Sequence, residues 1–118
     1  MDNFTIVRPE HLNHHGYLFG GVMLKWIDEN AWMAASRDYP GSSLVTVGMD
    51  ACRFKHRVTN GSILRFQMTK ISQGRTSLTY NVVVYADAPG AREEKEVFST
   101  AVSFVNLDTE GRPEELPR

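Results

Sequence analysis

Apolar positions along the chain change period twice, and each change marks an element. Phe4-Thr5-Ile6-Val7 is β-prone and stops at Arg8-Pro9, where the residue before a proline and the proline itself end regular pairing, so a short strand is expected. The polar stretch His11-Leu12-Asn13-His14-His15-Gly16 reads as loop or a short turn. From Phe19-Gly20-Gly21 the pattern becomes helical, through Val22, Met23, Leu24, Trp26, Ile27 and the run 31–35, and Tyr39-Pro40-Gly41 ends it. This predicts one helix of about 18 residues, about 27 Å long at 1.5 Å per residue. Its apolar positions cover nearly the whole circumference, which predicts burial on most sides.

Four β-like segments follow. Leu44 to Lys55 is β-branched at its start; Ile63 to Ile71 alternates, with Leu64, Phe66 and Met68 against Arg65, Gln67 and Thr69. Ser77 to Ala86 alternates in the same way, and Val97 to Leu107 is the last. Thr59-Asn60-Gly61, Gln73-Gly74-Arg75 and Asp87-Ala88-Pro89-Gly90 separate them with turn formers. Connections this short favour antiparallel neighbours. The tail from Asp108 reads as a turn and a polar extension. The order strand, helix, four strands predicts an α+β fold, in which a curved five-stranded antiparallel sheet curls around one long helix.

At 118 residues the chain is expected to form one domain over 1–118. One small sheet leaves part of so apolar a helix uncovered, which points to a dimer at least. Lys+Arg is 13 and Asp+Glu is 14, a net charge of −1 that argues against a nucleic-acid partner. No apolar run reaches the roughly 18 residues of a membrane helix, and Met1-Asp2-Asn3 does not open a signal peptide, so no membrane partner is expected. Cytoplasmic residence fits, and the single Cys52 is expected to be a small buried hydrophobe.

The candidate chemistry starts at Asp28. It lies mid-helix beside Leu24, Ala31, Trp32 and Ala35, and a carboxylate among such neighbours must face a cleft or a partner. A general base or a carboxylate nucleophile is the functional reading; a paired carboxylate at a subunit contact is the structural one. Gly20-Gly21 leaves the first amides of the helix uncovered, and these can hold an anion or a developing oxyanion. Asn13 can orient a water or a carbonyl. His11, His14, His15 and His56 match no metal-ligand spacing, and no metal is expected. Arg53, Lys55, His56 and Arg57, with Arg75 in a later turn, form either a solvated edge or a phosphate-contacting patch.

Asn13-His14-His15-Gly16-Tyr17-Leu18-Phe19-Gly20-Gly21 followed by Trp26-Ile27-Asp28 resembles the N-x-x-G-x-x-F-G-G…W-x-D signature of hotdog-fold acyl-CoA thioesterases, in the acyl-CoA hydrolase branch of the YciA and brain acyl-CoA hydrolase type. The resemblance continues through Val45-Thr46-Val47, Phe54, Val58-x-x-Gly61, Gly74-Arg75-Thr76-Ser77 and Phe104-Val105-x-x-Asp108-x-x-Gly111-x-Pro113. It implies a hotdog fold and hydrolysis of acyl-CoA to free acid and CoA, with neither metal nor organic cofactor. It implies a homodimer, often assembled to a tetramer or hexamer, with sites at the subunit seam. Carried over, Asp28 and Asn13 work in trans, and the amide of Gly21, with Gly20, forms the oxyanion site. Thr46 flanks Asp28, while Arg57, Arg75 and Ser77 meet the CoA phosphates and pantetheine. Two departures are Ser62, where relatives carry an acid, and Arg57, where they carry proline. A non-catalytic acyl-CoA sensor and a hotdog dehydratase or hydratase are the alternatives.

Overall fold

The computed structural model describes residues 1–117. Its elements are β1 (Asp2–Ile6), a 3-10 turn (Pro9–His11), α1 (Gly20–Asp38), β2 (Leu44–Phe54), β3 (Ile63–Gln73), β4 (Ser77–Asp87) and β5 (Lys95–Asn106). All five strands join one antiparallel sheet in the order β1-β3-β4-β5-β2. The central pair β3 and β4 alternates buried and partly exposed positions, as period-two patterning requires. Leu64, Phe66, Leu78, Tyr80, Val82, Val84, Phe98, Val102 and Phe104 point to one face and are buried. Met23, Ile27, Ala31, Ala34 and Ala35 meet them from α1, at the i, i+4, i+7 spacing of one helical stripe. Each large side chain buried there contributes about 1.5–3 kcal/mol relative to exposure.

The helix departs from the expectation of burial on most sides. Beside that stripe Leu24 and Trp26 are partly buried against the core, but Trp32 and Met33 remain 46 % and 40 % exposed. Strand β2 is likewise exposed along nearly its whole length, because it is an edge strand with one unpaired side. Its pairing to β5 slips at Thr46/Gly48 and again at Asp50/Arg53, where Ala51 takes a positive φ of 53°. Cys52 sits in this irregular stretch. It is exposed, contrary to the expectation of a buried hydrophobe, and its sulfur lies 3.4 Å from Thr100 Oγ1. Val45 and Val47 on the same edge are also exposed, Val47 to 60 %. An unpaired, apolar edge strand is a template for another chain.

Polar side chains lock the ends of the sheet. Asn106 is buried; its Oδ1 accepts from the Ser43 amide at 2.7 Å, and its Nδ2 donates to the carbonyls of Glu114 and Glu115. That holds the tail down and seats Leu116 in the core, so the tail is not merely a polar extension. Arg65 joins β1 to the 88–94 loop: it donates to Glu94 and, at 3.1 Å, to Asp2, and its guanidinium lies 4.3 Å from the centre of the Tyr85 ring.

The Tyr80 hydroxyl donates to Asp38 Oδ2 at 2.5 Å under the end of the helix. Burial, and then the Asp38 carboxylate, push the phenol well above its ordinary value. A group raised on folding stabilises fully below its unfolded pKa, about 10 for tyrosine, and that contribution is lost as pH climbs through the folded value. Tyr80→Phe should therefore lower stability near pH 8 by about 1 kcal/mol, with the gap to wild type closing above pH ~10. Urea denaturation of both proteins across pH 8–11 reads it.

Candidate active site

Residues 12–18 form a closed loop ahead of the helix. Leu12 bridges Leu18, the Asn13 amide donates to the Tyr17 carbonyl at 2.7 Å, and Gly16 turns the chain at a φ of +83°, which glycine adopts without strain. Inside it, Asn13 Oδ1 accepts from the amides of His15 (2.9 Å) and Tyr17 (3.2 Å). With the oxygen so occupied, the Nδ2 hydrogens are what Asn13 has to offer outward. The loop thus fixes this side chain as a donor.

The helix start next to it is bare. Its N-cap residue is Phe19, with no side-chain cap. Val22 and Met23 both donate to the Phe19 carbonyl, at 3.0 and 3.2 Å, which leaves the amides of Gly20 and Gly21 without a backbone acceptor among the described residues. The positive end of a 19-residue helix dipole adds to their pull on negative charge. Gly20 and Asn13 line one cleft of about 530 Å³, walled by Phe54, Lys55, His56 and Arg57. The Phe54 ring lies 3.4 Å from where a Cβ on Gly20 would sit, and it stacks edge-on against Phe98 at 4.4 Å.

Asp28 lies elsewhere. Eight residues along the helix from Gly20, it is about 12 Å away at 1.5 Å per residue. It is half-buried in this chain, not enclosed by the apolar neighbours that flank it in sequence, because its side of the helix faces β2 and open space. Thr46 Oγ1 on β2 donates to Asp28 Oδ1 at 2.5 Å. Oδ2 has no partner among the described residues. Asp28 and Thr46 line a second cleft of about 630 Å³, with Trp26, Trp32, Met33 and Phe4 among its walls. Beside it, the Trp32 indole donates to the Leu44 carbonyl at 3.0 Å and so pins this part of the helix to β2.

One chain therefore carries two separate groups of candidate residues: hydrogen-bond donors at the helix start, and a carboxylate held by a threonine at mid-helix. Arg57 lies in the first cleft, its guanidinium 5.0 Å from the centre of the Tyr17 ring. Arg75 and Ser77 line neither cleft; they sit at the β3–β4 turn, where the Arg75 carbonyl accepts from Leu116. Ser62 is buried and closes its own turn, its amide donating to the Thr59 carbonyl at 3.3 Å. No three His, Cys, Asp or Glu side chains among the described residues converge to hold a metal ion. No described helix is long and apolar enough to cross a membrane.

Comparison with known proteins gives the family and the fold. The model of the Thioesterase superfamily matches residues 15–91, a span that holds the glycine pair, Asp28, Thr46 and four of the six regular elements in whole or large part. The chain belongs to the thioesterase superfamily. Its hotdog architecture, one helix against a curved five-stranded antiparallel sheet, is that of solved relatives. A hexameric acyl-CoA thioesterase is 30 % identical, with a TM-score of 0.91 over 99 % of this chain and 74 % of the other. An acyl-CoA hydrolase of Staphylococcus aureus, solved with butyryl-CoA, CoA and CoA disulfide, is 28 % identical, with a TM-score of 0.89 over 99 % and 71 %. Variants of an acyl-CoA hydrolase from that organism with an asparagine, an aspartate or a threonine replaced by alanine have also been characterised. The mouse cytosolic acyl coenzyme A thioester hydrolase is 27 % identical over 115 residues, 96 % of this chain but 30 % of its own length. The chain thus spans under a third of the first curated relatives it matches.

Local sequence pattern does not show the two clefts, although the resemblance already implied that Asn13 and Asp28 act from different protomers. Local pattern also misses Phe54 as a wall of the first, since an aromatic residue at a strand end carries no local sign of where it will pack. The assignment of Asn13 Oδ1 to the loop's own amides was visible only as the Asn-x-x-Gly spacing of a turn.

Proposed function

We propose that this chain hydrolyses acyl-CoA thioesters in sites built between two copies of itself. The observation that carries the reading is the division just described: the donors and the carboxylate of one chain are about 12 Å apart along a rigid helix, too far to act on one carbonyl. Two chains joined along the exposed β2 edge, with Trp32 and Met33 covered, would bring each half to the other's complement. The spacing agrees with the S. aureus hydrolase. Fifteen residues separate its substituted asparagine from its aspartate, as fifteen separate Asn13 from Asp28; its threonine follows by 17 residues and Thr46 by 18.

In this reading the thioester carbonyl oxygen points at the amide of Gly21, with Gly20 beside it, and Asn13 Nδ2 of the same chain donates to that oxygen. These groups stabilise the charge that develops as the carbon becomes tetrahedral. Asp28 of the partner chain faces the carbonyl carbon through Oδ2, while Thr46 holds Oδ1 and so fixes the carboxylate plane. Asp28 takes a proton from water as water adds, or attacks the carbon itself to form an anhydride that water then opens. Either way the C–S bond breaks and the proton ends on the CoA thiolate or in solvent. A thiolate leaves without a strong acid, so none is required. Arg57, beside the donor cleft, and Arg75 and Ser77, from the β3–β4 turn, are assigned to CoA phosphates and pantetheine. Cytoplasmic residence follows the name of the mouse relative.

A panel of acyl-CoAs from short to long, read by release of free thiol, tests the reading. Turnover of at least one chain length is expected. CoA binding without thiol release on any of them would instead favour a sensor.

A further inference from the structure

We propose that His11 is the positioning residue of the donor half-site, a role that rests on the hydrolase reading above. Asn13 and the bare amides of Gly20 and Gly21 belong to different elements, and something must hold the loop and the helix start in one arrangement. His11 makes three attachments that do so. Its Nδ1 accepts from the Arg8 amide at 2.9 Å, closing the 3-10 turn as the second arm of a capping box. Its carbonyl accepts from the Phe19 amide at 2.9 Å. Its ring stands edge-on to the Trp26 indole, with centroids 4.7 Å apart and planes at 81°.

Each attachment bears on a part of the site. Phe19 is the N-cap whose carbonyl takes the amides of Val22 and Met23 and so leaves Gly20 and Gly21 bare. Trp26 reaches back to the core through Phe66, at 6.5 Å, and forms a wall of the Asp28 cleft. The capped turn ends two residues before Asn13. His11 thus anchors the loop that carries Asn13 to the helix that carries the oxyanion amides, and it does so from half-buried ground outside both clefts. A glutamate could close the turn, as capping boxes usually do. Only a ring can also meet the Trp26 edge. The histidine supplies the acceptor and the ring together.

The two features separate by substitution. His11→Phe keeps a ring on Trp26 and loses the acceptor; His11→Asn keeps an acceptor at the Nδ1 position and loses the ring. Donors set for an oxyanion act in the transition state, so their displacement falls on kcat and not on KM. His11→Phe should lower kcat about tenfold, the worth of one well-placed hydrogen bond, with KM within about twofold. His11→Asn should return kcat to within about threefold of wild type. Amide exchange gives a readout free of activity: the His15 and Tyr17 amides, which report on Asn13 Oδ1, should exchange faster in His11→Phe and recover in His11→Asn. Equal kcat in the two variants, wild-type kcat in His11→Phe, or unchanged exchange at both amides overturns the proposal. So does a His11→Phe chain that fails to fold by circular dichroism, which would make the histidine a support of the fold and not of the site. A wild-type protein without thioesterase activity refutes the hydrolase reading instead, and the exchange comparison then still decides whether His11 sets the loop.

Discussion

Asp28→Ala should lower kcat by at least about a hundredfold, with the melting temperature and the oligomeric state unchanged. The magnitude follows from what a positioned general base contributes, commonly 10²–10⁴. The half-exposed position argues that folding will survive. Asp28 lies off the buried stripe of α1, and its removal opens no cavity in the core. The partner left behind is the Thr46 hydroxyl, which lines the same open cleft as Asp28 and can turn to water there, so the usual cost of an orphaned buried group does not arise. Asp28→Asn sharpens the result. The amide keeps the shape and an oxygen for Thr46 to donate to, and loses only the charge. Were the carboxylate merely a hydrogen-bond acceptor, Asp28→Asn would stay near wild type. As base or nucleophile it should fall to within about tenfold of the alanine variant. Steady-state thiol release measures both. Wild-type turnover by Asp28→Ala would remove the carboxylate from the chemistry.

The helix and all five strands were legible, β1 from its β-prone run ahead of Arg8-Pro9 and the central strands from long, strongly periodic patterns. Leu64, Phe66 and Met68 alternate, and so do Leu78, Tyr80, Val82 and Val84; no competing element satisfies both runs. Boundaries moved where the partner strand, and not local pattern, sets the end. β3 runs on to Gln73, past its alternation, because β4 pairs with Ser72 and Gln73 across a bulge. Position in the sheet was the larger gap. Leu44 to Lys55 reads as a strand, but nothing local reveals that it is an edge, and edge placement exposes Cys52, Val45 and Val47. The same ambiguity made α1 look buried on most sides: its apolar residues serve the core on one side, and Trp32 and Met33 remain open on another.

Among the candidate site residues, the carboxylate and the glycine pair stand out in the sequence because each is chemically out of place, an acid within an apolar helix and a helix start without a cap. The pairing of Asp28 with Thr46 rests on contact across 18 residues, which the family likeness anticipated and local pattern did not. His11 was hidden for a different reason. A loop histidine looks the same in sequence whether it is solvated or anchors a helix cap.

Mixing Asn13→Ala and Asp28→Ala proteins should restore activity that neither has alone. In a twofold dimer with sites built in trans, a heterodimer of the two variants holds one site with both defects and one with none. Random exchange of equal amounts makes about half of the dimers mixed, and each carries one intact site of two, so about a quarter of wild-type activity should return. Set against a residual near or below one per cent for Asp28→Ala, that is a rise of more than about twentyfold. If the donors and the carboxylate of one chain served one site, every mixed dimer would hold two defective sites, and the mixture would show only the average of its parts. Exchange must be verified independently, for instance by mass spectrometry of differently labelled chains. The exposed β2 edge and the apolar Trp32–Met33 surface predict a tight dimer, so mild denaturant will be needed to mix subunits. The separation of the two clefts along α1 makes the outcome a test of geometry as much as of catalysis. A rigid helix cannot bring its own start and its own Asp28 to one carbonyl carbon, so verified exchange without recovery would mean that a single half-site does the chemistry and that the other cleft serves something else.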